Sequence, residues 1–320
     1  WYHIMSKMSI INLLQKLEPK QVSKETLIEM GISHFTDKTI ERINNCATFL
    51  QAVTSSDKEQ SKIVKANRCM NRFCPICMAT KARKEAFMLN IILQVLRTFK
   101  FNFIFLTLTV PNVKGDKLAY ELDEEYLALK RLIQRKEFKA VSQGYVRKTE
   151  ITYNQERDDY HPHIHMLIVV KPNYFTDTKN YISQKRWQEI WKSCKRDDSI
   201  TQVNVKKADA SSFYELSKYE AKDFDMLGYS QEVFDVFYRA LKGRKTLTYN
   251  GKFQELKKLY KANKLDDFKP VDDTQYVDTS FHSFNHSKSK YETSKERKMT
   301  EEEFEKFNGM KIMEEVIVEE

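Results

Sequence analysis

The 320-residue sequence predicts an α+β fold built on an antiparallel sheet, and three observations carry the prediction. Gly144 to Asn154 and His161 to Val170 are two extended segments joined by a short polar turn, the pattern of a hairpin. Helical periodicities lie between other extended runs, so strands are joined partly by hairpins and partly through helices. No glycine-rich phosphate loop of the Walker or Rossmann kind is present, which removes the usual reason to expect a doubly wound parallel sheet.

The elements follow in order. Residues 9 to 45 carry short helical periodicities broken by Gly31, and residues 46 to 80 hold most of the cysteines. From about Thr80 to Phe99, Ala86, Leu89, Ile92, Val95 and Leu96 recur at helical spacing without an interrupting glycine or proline. A strand, Phe101 to Val110, is closed by Pro111-Asn112, and an amphipathic helix is expected over Lys117 to Lys136. After the hairpin, Trp187 and Trp191 share a helix face and read as core packing. Residues 199 to 206 suggest a strand, Phe213 to Asp223 a helix, and much of 231 to 264 further helix around Gly243 and Gly251. Beyond Pro270 the chain is polar and is expected to be largely disordered.

Composition narrows the function. A net charge of +9 with 31% charged residues fits a polyanionic partner such as nucleic acid. The longest apolar runs are far too short to span a bilayer, and the N-terminus has no signal-peptide pattern, so a cytoplasmic location and no membrane partner are expected. Five cysteines, four of them before residue 80, argue against a disulfide framework and for local metal binding.

Three stretches carry chemistry. In Tyr160-His-Pro-His-Ile-His165 the three histidines alternate and therefore share one strand face, with Pro162 marking the strand's start. Two imidazoles two residues apart can reach one cation, and Glu150, on the partner strand of the hairpin, can complete a His-His-Glu set; such nitrogen and oxygen donors suit Mn²⁺ or Mg²⁺, with the imidazoles favouring manganese. In Phe213-Tyr-Glu-Leu-Ser-Lys-Tyr-Glu-Ala-Lys-Asp223, Glu215 and Tyr219 lie one turn apart on a helix. A tyrosine with its ordinary pKa of about 10 is a poor nucleophile, so Tyr219 matters only beside a cation and a polarised phosphate. Cys69-Met-Asn-Arg-Phe-Cys74-Pro-Ile-Cys77 has the spacing of a zinc knuckle, for which Cys46 is the preferred fourth ligand and His34 and Cys194 are alternatives.

Together with Phe105-Leu-Thr-Leu-Thr109, these motifs, in this order over roughly residues 40 to 230, resemble the rolling-circle replication initiators of Gram-positive bacterial plasmids, within the HUH endonuclease superfamily. The resemblance implies a palm with a central five-stranded antiparallel sheet and flanking helices. It implies His163 and His165 as ligands of the catalytic metal with His161 just outside the pair, Tyr219 as nucleophile, and Glu215 as activator of water at termination. Lys218 and Lys222 flank the tyrosine and can hold adjacent DNA phosphates. Cys46, in Asn45-Cys46-Ala-Thr-Phe-Leu50, is similar to the family's upstream zinc ligand, although Ala47 stands where a glycine is expected. The implied organisation is a helical segment over 1–39, a zinc-binding module over 40–85, an endonuclease domain over 86–230, a helical region over 231–268 and a polar tail over 269–320. The implied partners are single-stranded or hairpin origin DNA, a UvrD-like host helicase, a DNA polymerase and a single-strand-binding protein, with a homodimer as one assembly. A relaxase or transposase of the same superfamily, or a non-catalytic zinc-containing regulator, are the alternatives. Relaxases usually place their tyrosine ahead of the histidine motif, whereas Tyr219 follows it.

Overall fold

The computed structural model describes residues 8–217 and 226–312; the side chains at positions 210, 214, 215 and 217 are outside that description. In chain order the first elements are α1 (Ile10–Gly31), α2 (Asp37–Asn44), β1 (Phe49–Ser55), β2 (Ser61–Ala66), α3 (Pro75–Thr98), β3 (Asn102–Thr109), α4 (Gly115–Gln134) and α5 (Lys136–Val141). There follow β4 (Ser142–Asn154), β5 (Asp159–Val170), α6 (Gln184–Lys195), β6 (Val203–Lys207), α7 (Ala210–Ser217) and α8 (Gln231–Leu241). The last are β7 (Leu247–Gly251), α9 (Lys252–Lys261), β8 (Tyr276–Asn285), β9 (Lys290–Lys298) and α10 (Glu301–Phe307). Among the described residues they form two compact units, one of residues 8–87, 226–228 and 269–312, the other of residues 88–217 and 229–268.

The second unit is α+β, with a five-stranded antiparallel sheet in the order β6-β3-β5-β4-β7. Pleating sends alternate residues to opposite faces. Ile164, Met166, Ile168 and Val170 of β5 join Leu106 and Leu108 of β3 in a core closed by Leu132 of α4 and by Trp187 and Trp191 of α6. Both tryptophans are fully buried, as the helical spacing predicts, and truncating either to alanine would cost about 3–5 kcal/mol. Trp191 also donates its Nε1–H to the Thr109 carbonyl at 2.9 Å, which fixes α6 against the end of β3. Ser183 caps α6 by accepting from the Arg186 amide. The opposite face, bearing Thr107, His163, His165, Glu150 and Lys148, is the one left for chemistry.

Two details differ from expectation. β5 begins at Asp159, not at Pro162. The Tyr160 amide bonds to the Val113 carbonyl, so two residues on the Pro162 nitrogen points to the same side, beyond the last β3 pair at Thr109 and His163, where no ladder donor is needed. The stretch 231 to 264 is helical over much of its length, as expected, but between α8 and α9 it also holds β7, which pairs with β4 as an edge strand. Gly144 and Gly251 face each other there; a Cβ on Gly251 would lie 2.5 Å from the Gln143 carbonyl oxygen, so the approach requires glycine.

In the first unit a four-stranded antiparallel sheet runs β2-β1-β8-β9, and among the described residues the segment expected to be largely disordered instead forms β8, β9 and α10. β8 pairs with β1 on one side and β9 on the other, and α10 follows with a Thr300–Glu303 capping box. The burial of β8 is achieved by polar residues: Thr279 donates to the Ala52 carbonyl at 3.3 Å, and the Ser280 hydroxyl lies 2.8 Å from His282 Nε2. Hydrophobic patterning does not register such a strand. β1 and β2 likewise went unread among the cysteines. α1 is one continuous helix that passes through Pro19 and ends at Gly31.

Candidate active site and metal centres

Glu150 and His163 are register partners across β4 and β5, and Thr107 and His165 across β3 and β5. The pairing brings one carboxylate and two imidazoles onto the same face, with their ligand atoms all within 4.8 Å of one another. Glu150 Oε1 lies 3.8 Å from His163 Nε2, and its Oε2 lies 3.5 Å from His165 Nε2. All three residues are buried.

The far nitrogens of the two rings are held. His163 Nδ1 lies 3.2 Å from the His161 carbonyl, which can only accept, so Nδ1 carries the proton and Nε2 presents its lone pair. His165 Nδ1 lies 3.1 Å from the Thr107 hydroxyl, and its ring stacks on Phe105 at 5.3 Å. Burial, aided by the neighbouring His165, pushes the His163 pKa down to about 4, so the ring is neutral at neutral pH. Two imidazoles with held Nδ1 atoms, converging on a carboxylate, are the donor set of a divalent-cation site. His161 lies outside this group, its ring centroid 5.3 Å from that of His163.

Lys148, two residues before Glu150 on the same strand face, escaped the sequence reading. Its side chain is only 5% exposed and its Nζ lies 3.8 Å from Glu150 Oε2. Period-two spacing from Glu150 was the available signal. α7 lies against β5, and its Phe213 ring meets Phe103 edge-on at 6.0 Å. Phe103 shares the face of Thr107, so α7 is on the histidine side of the sheet. Glu215 belongs to the backbone of α7; its side chain, together with Lys218, Tyr219 and Lys222, lies outside the described residues.

The second group is Cys46, Cys69, Cys74 and Cys77. Cys77 Sγ lies 3.5 Å from Cys46 and 3.6 Å from Cys69, and Cys74 lies 3.7 Å from Cys46. Four thiolates bound tetrahedrally at the usual zinc–sulfur distance stand about 3.8 Å apart, so the set fits a closed four-sulfur site. Pro75 opens α3 at its first position and sets Cys77 in the first turn. Hydrogen bonds from the other thiols, Cys46 first, hold the Cys77 pKa far down, and the same contacts push Cys74 up. A cluster this close cannot ionise fully without a cation. Neither His34 nor Cys194 joins the group.

Residues unread in the sequence brace the cysteine loop. Buried Lys24 of α1 donates to the Asn44 and Cys46 carbonyls at 2.7 and 3.2 Å, and buried Gln21 donates to the Ala47 carbonyl at 2.9 Å. Arg42 donates to the Cys69 carbonyl at 2.8 Å. Ala47 adopts φ +56°, the left-handed conformation that accounts for the glycine expected there.

Residues 60–299 match the family model described as "Replication protein". The chain belongs to that family. Among curated relatives, a "Protein rep" of Staphylococcus aureus is 41% identical over 67% of this chain and 95% of its own length. Another "Protein rep", of Bacillus amyloliquefaciens, is 34% identical over 69% of this chain and 73% of its own length. A third, of Streptococcus pneumoniae, is 30% identical over 70% of this chain and 72% of its own. No solved structure matches this chain. The resemblance to plasmid replication initiators therefore holds at the level of the family, and both candidate metal groups lie on a replication protein. Among the described residues no helix is long and apolar enough to cross a membrane.

Proposed function

We propose that this replication protein is a rolling-circle initiator that nicks its origin through Tyr219. The observation that carries the reading is the convergence of Glu150, His163 and His165 on the face of the sheet against which α7 packs, two residues of chain before Tyr219. Glu150 supplies a carboxylate oxygen to the site, and His163 and His165 supply ring nitrogens whose orientation the His161 carbonyl and the Thr107 hydroxyl maintain. A bound Mn²⁺ or Mg²⁺ would polarise the scissile phosphate and stabilise charge on its oxygens.

The Tyr219 oxygen attacks phosphorus in line, the bond to the 3′-oxygen breaks, and that oxygen gains a proton as the tyrosine loses one. The products are a 5′-phosphotyrosine and a 3′-hydroxyl. One phosphodiester replaces another, so rejoining needs no nucleotide cofactor. The 3′-hydroxyl primes a DNA polymerase, while a host helicase and single-strand-binding protein act on the displaced strand. Lys218 and Lys222 hold flanking phosphates, and Glu215 activates water for the terminating cut. The four cysteines hold a structural Zn²⁺.

Incubation with single-stranded or hairpin origin DNA and Mn²⁺ tests the reading. An SDS-stable protein–DNA adduct is expected, abolished by Tyr219→Phe with DNA binding nearly intact, because that change removes the attacking oxygen and almost no volume. An adduct that survives Tyr219→Phe would assign the nucleophile elsewhere.

A further inference from the structure

The candidate site contains one cation of its own before any metal arrives. Lys148 lies opposite His165 in the β4–β5 register, as Glu150 lies opposite His163. Its Nζ is 3.8 Å from the same Glu150 oxygen that lies 3.5 Å from His165 Nε2. The residue is 4% exposed, so solvent screens this charge weakly.

We propose that Lys148 is a second cation of the Glu150–His163–His165 site, and that it makes a divalent metal and a DNA phosphodiester bind there cooperatively. The inference rests on the metal reading given above. In the metal-free site the ammonium compensates the buried Glu150 carboxylate, which would otherwise be a costly uncompensated charge. When a dication binds the lone pairs of the two imidazoles and the carboxylate, it and the ammonium put three positive charges against one negative charge in a desolvated place. That excess opposes metal binding by the protein alone. A phosphodiester supplies the missing anion, so metal and phosphate each raise the affinity of the other by the same factor. A reacting phosphate, whose oxygens gain charge as the tyrosine attacks, is then matched by two cations rather than one.

A purely structural lysine predicts the opposite sign. If Lys148 only positions Glu150, its removal misplaces a ligand and weakens metal binding. If it acts as proposed, removing its charge relieves the repulsion and strengthens metal binding in the absence of DNA.

The test uses the full chain carrying Tyr219→Phe in every arm, so that no DNA is cut. Mn²⁺ affinity is measured by titration with electron paramagnetic resonance, alone and with a short thymidylate oligonucleotide. The oligonucleotide is expected to tighten Mn²⁺ binding by about tenfold. Lys148→Met should bind Mn²⁺ alone about tenfold more tightly, with the gain from the oligonucleotide largely lost, and Lys148→Arg should behave as lysine does. Two results overturn the inference: equal or weaker Mn²⁺ binding by Lys148→Met, or no tightening by the oligonucleotide in the chain that retains lysine. The second needs no variant at position 148, so a misfolded methionine variant does not shield the proposal. Mn²⁺ binding unaffected by His163→Ala would instead overturn the metal site itself, and the role of Lys148 with it.

Discussion

His163 and Glu150 contribute unequally to a cation because their replacements leave different things behind. His163→Ala removes a neutral nitrogen whose lone pair is already aimed by the His161 carbonyl, and nothing takes its place. Mn²⁺ affinity should fall at least about tenfold to a hundredfold, the range seen when even a supporting shell is lost. Glu150→Gln keeps an oxygen that can still coordinate but removes the negative charge that faces Lys148 and the dication, so calorimetry should report a loss at least as large. Ala47 shows how magnitudes offset one another at one residue. Its φ of +56° strains an L-residue by about 1–2 kcal/mol, which glycine would relieve at a cost of about 0.5–1 kcal/mol in backbone entropy. The methyl group is fully buried, and deleting it forfeits about 0.8 kcal/mol. Ala47→Gly should therefore change the urea midpoint by the equivalent of less than about 1 kcal/mol, which explains how alanine occupies a glycine position. A glycine at this site was implied by the family resemblance; the buried braces Lys24 and Gln21 were not legible, since a polar residue on a helix gives no sequence sign that it points inward.

Elements with strong periodicity were legible: the β4–β5 hairpin, α4 and the tryptophan face of α6 all lie where alternation or helical spacing put them. What periodicity hides is a charge on the buried face of a helix. Glu125 of α4 is completely buried, and neither carboxylate oxygen has a hydrogen-bond partner. Burial, reinforced by Glu121 one turn earlier, raises its pKa well above the usual carboxylate range. The sign follows from linkage. A carboxyl whose folded pKa is raised holds its proton better in the folded state, so its favourable contribution is complete below the unfolded pKa and is lost as pH rises toward the folded one. Glu125→Gln, which cannot ionise, should therefore stabilise the protein relative to wild type by more at pH 8 than at pH 5. Urea unfolding at the two pH values checks this, and equal effects would place an ionised Glu125 in the fold.

At the scale of the molecule, the segment after residue 268 separates the sequence reading from the structure most sharply. Polar composition predicts a largely disordered or solvent-exposed tail; the structure makes its strands the middle and one edge of a sheet. β8 is the strand between β1 and β9, and without it β1 and β2 remain as a two-stranded ribbon, which is marginal in water. The consequence reaches the cysteines. The Phe284 amide donates to the Thr48 carbonyl at 2.8 Å, and the Tyr291 hydroxyl donates to the Ala47 carbonyl at 2.7 Å while accepting from Gln21 at 2.6 Å. These bonds hold the loop that begins at Cys46. A structural metal contributes its binding free energy to folding only if its ligands are brought together, and a loosened Cys46 leaves three thiols. Truncation after Phe268 should thus lower bound zinc from one equivalent per chain toward none and open the segment around residues 46–77 to proteolysis. The five-stranded sheet contains no strand from the deleted segment, so residues 88–217 should retain their protease resistance. A truncated chain that keeps one tightly bound zinc would show that α1 and the knuckle suffice for the metal site, and that the polar strands serve only themselves.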